Sequence, residues 1–390
     1  MIAQVIFAVL ILSATLFFDS AVGFNGVVPI GVAFACFLLV VFSLERFRVN
    51  DLIAVMVMCV FACFTLALTF SYWRSDPAQY KNFTFVILGF LTFLTTKSLV
   101  YHLQSRQIAR ILNGILLFHI AIFLVQLALY RTTGFDLDVG KLLGGLGHRA
   151  LTPDGLYRPT GVFDEPAIYA MFTSALLVCR MFYCKNKDII FWLALACLCL
   201  TMSLVAYILA AGIFFAYGSM TVRIVCIVLG MAVVALLFSP LMSDTYVGIR
   251  AANVLSGADA STNSKSILLQ DWLNTPQLWD FGFGFIGLRD WTPSYYDAMF
   301  DLSFYLSILV VLGFMSGLCV LVWFFLALVF STRPLSDKLA ILVVLLKLTA
   351  LQFPMLWILM ALFFSKSRNR VETDKSFAPL PSTAGQIVNR

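Results

Sequence analysis

The stretch Tyr157-Arg-Pro-Thr-Gly-Val-Phe-Asp-Glu-Pro-Ala-Ile-Tyr169 brings one cation and two carboxylates to the start of an apolar run. Pro166 suits the first turn of a helix, because the N–H that proline lacks has no helical partner there. Asp164 and Glu165, directly before it, suit the positive end of the helix dipole. Together with Arg158, they predict a charged cluster at the mouth of a membrane-spanning helix, where lipid gives way to water.

Composition places the chain among membrane proteins. Hydrophobic residues make up 61% of the 390 residues and charged residues 12%, whereas soluble domains carry about 25% charged residues. Continuous apolar runs predict an all-α fold, a polytopic transmembrane helical bundle in one integral membrane domain over 1–390. The net charge of +6 does not indicate nucleic-acid binding, because the basic residues lie in short segments between the runs.

Neither a disulfide framework nor a zinc site is predicted, because all nine cysteines fall in apolar runs. Residues 1–18 lack the basic region and cleavage site of a signal peptide, so we interpret them as a retained first helix. Asp136 and Asp138 resemble the metal-binding pair of nucleotide-sugar transferases, but paired acids in a polar loop are usually just solvated. No metal or cofactor is expected.

Most of the chain divides into runs of spanning length. Single helices are predicted near residues 3–18, 26–44, 52–70, 83–100, 108–130, 167–184 and 222–242. Residues 188–218 form either one long helix or a hairpin broken around residues 201–203. Residues 299–331 are best interpreted as one long, tilted helix. In 338–364, Lys347 and Pro354 favour two short helices that meet near residues 352–354.

The positive-inside rule places the basic residues of the short segments in the cytoplasm. The rule holds for all of these basic residues only if 188–218 and 338–364 each form a pair of helices, that is, a hairpin. The chain then has about twelve spans, with both termini inside. The same parity sends two long loops, 131–166 and 243–298, to the opposite, external side of the membrane. Long loops are often functional. Residues 365–390 are interpreted as a disordered cytoplasmic tail.

Two local patterns stand out in the second loop. Residues 266–273 carry apolar side chains on one helical face, which predicts a short helix lying in the membrane interface. Gly282, Gly284 and Gly287 formally match a dinucleotide-binding motif, which requires a βαβ unit. An aromatic loop between membrane spans does not provide that unit, so these glycines predict a tight turn.

Several motifs, taken in order, resemble the O-antigen polymerase (Wzy-type) and O-antigen ligase superfamily. They lie within roughly 150–320 and are Arg158…Gly161…Glu165-Pro166, Thr201-x-Ser203, Pro276 with Gly282-x-Gly284, and Asp301-Leu-Ser-Phe-Tyr305 with Gly313 and Gly317. The resemblance implies an undecaprenyl-diphosphate-linked glycan donor, a second glycan acceptor and glycosyl transfer at the periplasmic face of the bacterial inner membrane. A chain-length regulator protein is a further partner that it allows.

Two departures from the family pattern favour a polymerase over a ligase. Leu204 follows Ser203 where ligase-like members usually carry an arginine, and Asp301 stands where ligases tend to have a histidine. The ligase remains an alternative. A transporter or flippase is the alternative from another class, but the ionisable residues lie mostly in loops of unequal length and no internal repeat is present.

Three residues are the catalytic candidates. Arg158 is assigned to the departing diphosphate, because a guanidinium binds phosphate oxygens through two parallel hydrogen bonds, although it could instead only anchor the helix. Glu165 is either the general base for the acceptor hydroxyl, with a pKa raised by burial, or a simple helix cap. Asp164 is the weaker candidate. The candidates for binding diphosphate or glycan are Arg250, Lys265, Arg289, Tyr157, Asp301 and His148.

Two histidines and one lysine are the subject of further hypotheses. His148 is also a candidate second base, although a plain loop residue is the simpler interpretation. His119 lies within an apolar run and is most simply hydrogen bonded inside the bundle. Lys347 is an intramembrane cation that either reaches a carrier phosphate or pairs with a carbonyl.

The topology predicts opposite labelling of two positions. In a cysteine-depleted background, Asn263→Cys is expected to react with a membrane-impermeant maleimide in intact cells whose outer membrane has been permeabilised, and Asn186→Cys is not. The reason is that the second long loop is placed outside and the short loop at position 186 inside. Labelling at 186 but not at 263 would overturn the hairpin interpretation and the site that depends on it.

Overall fold

All regular structure in the described part of the chain is helical, as the sequence predicted. The structure is a computed structural model, and it describes residues 1–16, 27–44, 47–72, 77–143, 145, 147–151, 155–237, 249, 252–253, 260–285 and 292–365. Within them, Leu151 and Tyr157 form an isolated β-bridge.

The helices follow the predicted runs closely. The first ten are α1 (Ile2–Ala14), α2 (Val27–Leu44), α3 (Val49–Tyr72), α4 (Pro77–His102), α5 (Ser105–Thr133), α6 (Val139–Leu142), α7 (Pro166–Met181), α8 (Ile189–Leu200), α9 (Leu204–Tyr217) and α10 (Met220–Leu237). The second group is α11 (Ala260–Asn274), α12 (Pro276–Phe281), α13 (Phe304–Leu312), α14 (Phe314–Phe330), α15 (Leu335–Val344) and α16 (Pro354–Phe364), with a 3-10 helix at Ser294–Asp301.

Length and composition identify a membrane protein. Among the described residues, Val49–Ala67, Tyr80–His102 and Ser105–Thr133 are long and apolar enough to cross a membrane, and several shorter helices are equally apolar. Large apolar side chains point outward from the bundle, with Phe42 79% and Phe330 80% exposed. Exposed apolar surface of this kind is suited to lipid.

Two of the long runs are broken where the sequence allowed a hairpin. α8 ends and α9 begins around residues 201–203, where Met202 has a positive φ of 51°. The rings of Phe191 and Tyr217 lie 6.5 Å apart between centroids, so the two helices run antiparallel. The second break separates α15 from α16, which begins at Pro354 as predicted.

The prediction of one long helix over 299–331 is wrong. The run divides into α13 and α14 at Gly313, which has a φ of 80°. The ring centroids of Phe304 and Phe324 lie 5.6 Å apart, and a Cβ on Gly317 would meet the backbone of Leu309 at 2.7 Å. The two helices therefore fold back on each other as a tight hairpin.

The second loop causes this break. The N–H groups of Phe283 and Gly284 donate to the carbonyls of Val310 and Val311, over 2.8 and 2.9 Å. These carbonyls belong to the end of α13, where no helical partner is available to them. Two of the three glycines predicted to form a tight turn do so, since Gly282 and Gly284 both have positive φ, whereas Gly287 lies outside the described residues. The backbone of Gly282 packs directly against Gly313.

The short helix predicted at 266–273 is present as the longer α11, which ends just before Pro276. Leu268 and Trp272, four residues apart, are its buried side chains in the described part of the loop. The parts of the second loop at 286–291, and the tail after residue 365, lie outside the described residues.

Two arginines that the charge pattern assigned to the cytoplasmic side, Arg180 and Arg333, are buried rather than solvated. Arg333 is 7% exposed and donates to the carbonyls of Phe363, Leu362, Ser365 and Phe182. The last carbonyls of a helix lack helical partners and carry the negative end of its dipole, so the guanidinium closes the ends of α16 and α7 together.

Replacement of Gly313 tests the hairpin. Gly313→Ala is expected to lower the free energy of unfolding by about 2 kcal/mol or more, because a Cβ is strained at positive φ and would lie 2.3 Å from the Asp280 carbonyl oxygen. Thermal unfolding in detergent, followed by tryptophan fluorescence, measures the change.

Gly114→Ala is the matched control, because a Cβ added at Gly114 in α5 would meet open space and alanine favours a helix over glycine by about 1 kcal/mol. Its unfolding temperature should stay constant or rise. An equal fall in both variants would mean that the turn at Gly313 is not the cause.

Candidate functional site

The start of α7 places Glu165 at the helix N-cap in extended backbone, with Pro166 as the first helical residue. The backbone carbonyl of Glu165 accepts the N–H groups of Ile168 and Tyr169. Glu165 therefore occupies the cap position that the sequence allowed, but its side chain makes no capping hydrogen bond. The helix begins because of proline and local geometry, which leaves the carboxylate for another partner.

That partner is Arg149, whose Nη1 lies 2.6 Å from Oε1 of Glu165. The Arg149 side chain is 81% exposed and that of Glu165 is 37% exposed. A pair this open contributes only about 0–1 kcal/mol to stability. The protein itself leaves the Glu165 side chain 37% exposed, and its expected burial beside lipid stays a prediction.

The loop before α7 folds as a short two-stranded turn. The N–H of Arg158 donates to the carbonyl of Ala150, and the N–H of Arg149 donates to the carbonyl of Asp164, each over 2.7 Å. Residues 149–151 therefore run beside residues 157–164. This course brings Arg149 next to Glu165 although sixteen positions separate them.

Gln126 of α5 holds the turn at residues 160–161. Its side-chain oxygen accepts the N–H groups of Thr160 and Gly161 at 3.1 and 2.7 Å. Its side-chain nitrogen donates to the carbonyls of Leu137 and Gly161 at 2.7 and 3.0 Å. The side chain is fully buried, and this one amide satisfies four backbone groups of the first loop.

Arg158, which directly precedes this turn in the chain, is partly buried. Its Nε is buried and has no hydrogen-bond partner among the described residues. A buried donor without a partner costs about 1–3 kcal/mol. The sequence predicted Arg158 beside two carboxylates, but the ion pair that the described residues form with Glu165 is made by Arg149. An anion bound at this position would give the Nε–H of Arg158 the hydrogen-bond partner that it lacks among the described residues.

Asp164 is buried, with 8% of its surface exposed. Its backbone carbonyl accepts the N–H of Arg149. Asp164 is therefore the less accessible of the two carboxylates, since the side chain of Glu165 is 37% exposed.

His148 lies at the centre of a second set of contacts in the first loop. Its Nε2 lies 2.9 and 2.8 Å from the two carboxylate oxygens of Asp136, and its Nδ1 lies 3.1 Å from the Thr160 hydroxyl. The ring is 3% exposed. Both nitrogens are therefore engaged, which argues against His148 as a base for an incoming hydroxyl.

Tyr157 completes this set. Its hydroxyl donates to Asp136 over 3.0 Å, and its ring stacks on Tyr130 with 3.7 Å between centroids. Burial, together with the hydrogen bond to Asp136, raises the pKa of the Tyr157 phenol. Tyr157 thus anchors the loop to α5, and its side chain is turned away from solvent.

The two acids considered as a metal pair have protein partners instead. Asp138 caps α6 by accepting the N–H of Lys141 at 2.8 Å, and its other oxygen accepts the N–H of His148 at 3.0 Å. Asp136 binds His148 and Tyr157. Within the described residues, no group of three or more histidine, cysteine or acidic side chains could hold a metal ion.

A separate cluster forms where the second loop meets the α15–α16 connection. Asp301 pairs with Lys265 of α11, over 2.5 Å, and with Lys347. Burial raises the pKa of Asp301, but the two ammonium groups outweigh it and hold that pKa below its usual range. The hypothesis that Lys347 pairs with a carbonyl is wrong, because its partner is this carboxylate.

The remaining predicted residues have simpler outcomes. Arg250 and Arg289 lie outside the described residues. His119 is fully buried, and its Nε2 lies 3.0 Å from the hydroxyl of Thr15, which confirms a hydrogen bond within the bundle. Sequence analysis missed Arg149 and Gln126. A lone glutamine inside the long apolar run of α5 was the visible signal for the second.

Neither the protein-family models nor the curated proteins contain a match to this chain.

Loss of the Gln126 amide is expected to loosen the turn. Gln126→Leu would leave the buried N–H groups of Thr160 and Gly161 without partners, at about 1–3 kcal/mol each. Hydrogen exchange by mass spectrometry should show the amides of residues 160–161 exchanging at least tenfold faster.

The exposed Gln270 of α11 provides the control, and Gln270→Leu should leave these amides unchanged. Unchanged protection in Gln126→Leu would show that other contacts hold the turn.

Proposed function

We propose that this protein is a glycosyltransferase that polymerises undecaprenyl-diphosphate-linked oligosaccharide repeat units of a surface polysaccharide, such as O-antigen, at the periplasmic face of the bacterial inner membrane. One observation carries the proposal. In the segment that leads into the apolar helix α7, the partly buried guanidinium of Arg158 has an unpartnered Nε–H, and seven positions later Glu165 presents a partly exposed carboxylate.

Arg158 supplies the anion-binding half of the site. Diphosphate oxygens match the fork of a guanidinium and form charge-assisted hydrogen bonds with it. The first N–H groups of the 16-residue helix α7 and its dipole favour negative charge in the same place. These groups would stabilise the lipid diphosphate as it leaves, when its negative charge is greatest.

Glu165 supplies the base. One carboxylate oxygen accepts from Arg149, and a carboxylate has further lone pairs with which to take a proton. The acceptor hydroxyl loses its proton to Glu165 as its oxygen bonds to the anomeric carbon of the donor sugar. The bond between that carbon and the diphosphate oxygen breaks, and the lipid diphosphate departs with the electron pair. Arg149 holds the carboxylate in place.

The same proposal includes about twelve spans with both long loops outside. The pairs α8–α9 and α15–α16 support the placement of both loops on one side, because Phe191 lies near Tyr217 and Arg333 binds the Phe363 carbonyl, so each pair returns the chain to its starting side. The unexpected α13 does not change the parity. Its nine residues extend about 14 Å, which is less than half of a hydrocarbon core of about 30 Å.

One observation favours the transporter as a second candidate. Lys347 and Asp301 pair beside the connection between two short helices, and transporters place ionisable residues at broken helices near the bilayer centre. A transporter would not need the exposed base at Glu165. The ladder assay of the Glu165→Gln variant therefore distinguishes the polymerase from the transporter.

The assay compares the polysaccharide ladders of cells carrying Arg158→Ala, Arg158→Lys or Glu165→Gln at matched membrane abundance. Arg158→Ala should lower the rate at least about a hundredfold, since each charge-assisted bond contributes about 1.5–3 kcal/mol. Arg158→Lys keeps the charge without the fork and should remain clearly impaired. Glu165→Gln should abolish polymer in a folded protein.

Arg110→Ala, which removes an exposed arginine of α5 far from the site in sequence, is the control and should give a normal ladder. A polymerase predicts that the null strain keeps the band with a single repeat unit, whereas loss of that band would favour the ligase. A normal ladder from Arg158→Ala would defeat the site, and one from Glu165→Gln would defeat the base. Repeat units retained on the cytoplasmic side would favour the transporter.

A further inference from the structure

An apolar cavity of about 320 Å³ lies among α3, α4, α13, α14 and α16. Its size falls at the lower end of the roughly 300–1,000 Å³ that small-molecule sites occupy. All of the side chains that line it among the described residues are apolar or aromatic, apart from the weakly polar thiol of Cys319. Such a space accepts hydrocarbon and offers nothing to a sugar.

The aromatic wall of this cavity is fixed in place. The indole N–H of Trp357 donates to the carbonyl of Leu351 over 2.6 Å, and the Trp357 ring meets that of Phe90 edge-on at 4.7 Å. The ring also lies over Gly89, where a Cβ would approach Nε1 to 2.2 Å. Because these three contacts fix the Trp357 side chain, the cavity is preformed. A preformed cavity lowers the entropic cost of binding a ligand.

The charged cluster Lys265–Asp301–Lys347 adjoins the same junction. Phe304 and Leu351 line the cavity, and they follow Asp301 and Lys347 by three and four positions. The N–H of Phe304 donates to the carbonyl of Leu345 over 2.9 Å, which ties the two segments together. The apolar cavity and the charged cluster therefore share the chain segments around Phe304 and Leu351.

The cluster has a surplus of positive charge. Among the described residues, two ammonium groups share one carboxylate, and the side chains of Lys265 and Lys347 are 30% and 16% exposed. Each ammonium has three N–H donors, so the pair with Asp301 leaves donors for another anion. Lysine binds phosphate as a compact point charge.

We propose that this cluster and the cavity form one site for the carrier lipid of the acceptor glycan, with its phosphate at Lys265 and Lys347 and the adjoining isoprenoid units in the cavity, separate from the donor diphosphate assigned to Arg158. This inference rests on the proposed function for the identity of the lipid. It assigns the acceptor's carrier a position on α13, α14 and α16, none of which carries Arg158 or Glu165.

The test uses the full-length protein in nanodiscs and an undecaprenyl diphosphate probe with a photoreactive diazirine in its first isoprenoid units. Cross-links are expected in peptides that cover residues 304–324 and 351–364. Val320→Trp should reduce the cross-link about tenfold, the effect of excluding about two methylene groups from the cavity. Val320 lines the cavity.

Val322→Trp is the matched control. Val322 lies on the same helix two residues away, is 49% exposed and does not line the cavity, so its variant should label like the wild type. Equal labelling of the two variants would overturn the proposal. So would competition by excess phosphatidylglycerol as strong as that by unlabelled undecaprenyl diphosphate, since an ordinary membrane lipid would then be the occupant.

Asp301→Asn separates a binding role of the cluster from a structural ion pair. Removing the carboxylate frees both ammonium groups, so the variant should bind the probe more tightly by about threefold or more, whereas Lys347→Gln should bind it more weakly. A purely structural pair predicts no gain from Asp301→Asn, and that result would overturn the phosphate assignment.

The binding readout requires no polymer synthesis. Cross-linking in the cavity by a protein that gives no Arg158-dependent ladder would defeat the proposed function and leave the lipid site. An Arg158-dependent ladder without cross-links in the cavity would defeat the lipid site alone.

Discussion

The buried amide of Gln126 is the interaction on which the candidate site depends. It satisfies four backbone groups of the first loop at once, at a depth where the side chain is fully buried. In apolar surroundings every backbone N–H and carbonyl must find a partner within the protein. The first loop therefore enters the bundle where Gln126 of α5 provides hydrogen-bond partners for its backbone. The positions of Arg158 and Glu165 follow from that attachment.

The same constraint shapes the breaks in the helices. The end of α13 leaves carbonyls without helical partners, and the N–H groups of Phe283 and Gly284 supply them. Glycines are required at both sides of this contact, because Gly282 and Gly313 combine positive φ with an approach too close for a Cβ. At the other end of the bundle, Arg333 serves the carbonyls that end α16. At these helix ends, segments distant in the sequence thus provide the hydrogen-bond partners that water provides at an exposed helix end.

Several features were predictable from the sequence because they depend on near neighbours. Apolar runs identify most of the helices, since a buried or lipid-facing helix needs length and hydrophobicity whatever it packs against. Pro166 and Pro354 mark helix starts through their own geometry. The turn at Gly282 and Gly284 was also expected, because glycine tolerates the positive φ that both residues adopt. The broken run around residues 201–203 was one of two interpretations, and packing chose between them.

What the sequence alone determined is therefore the all-helical membrane class, most helix positions and the gathering of charge before α7. Only the tertiary structure decided which charges meet. Glu165 pairs with Arg149 rather than with Arg158, and Asp301 pairs with Lys347 across 46 positions. It also decided that residues 299–331 break at Gly313, because a lone glycine is tolerated within a helix until another segment packs against it. Helix formation is governed by local periodicity, whereas ion pairs and helix breaks depend on the course of loops that no local pattern specifies.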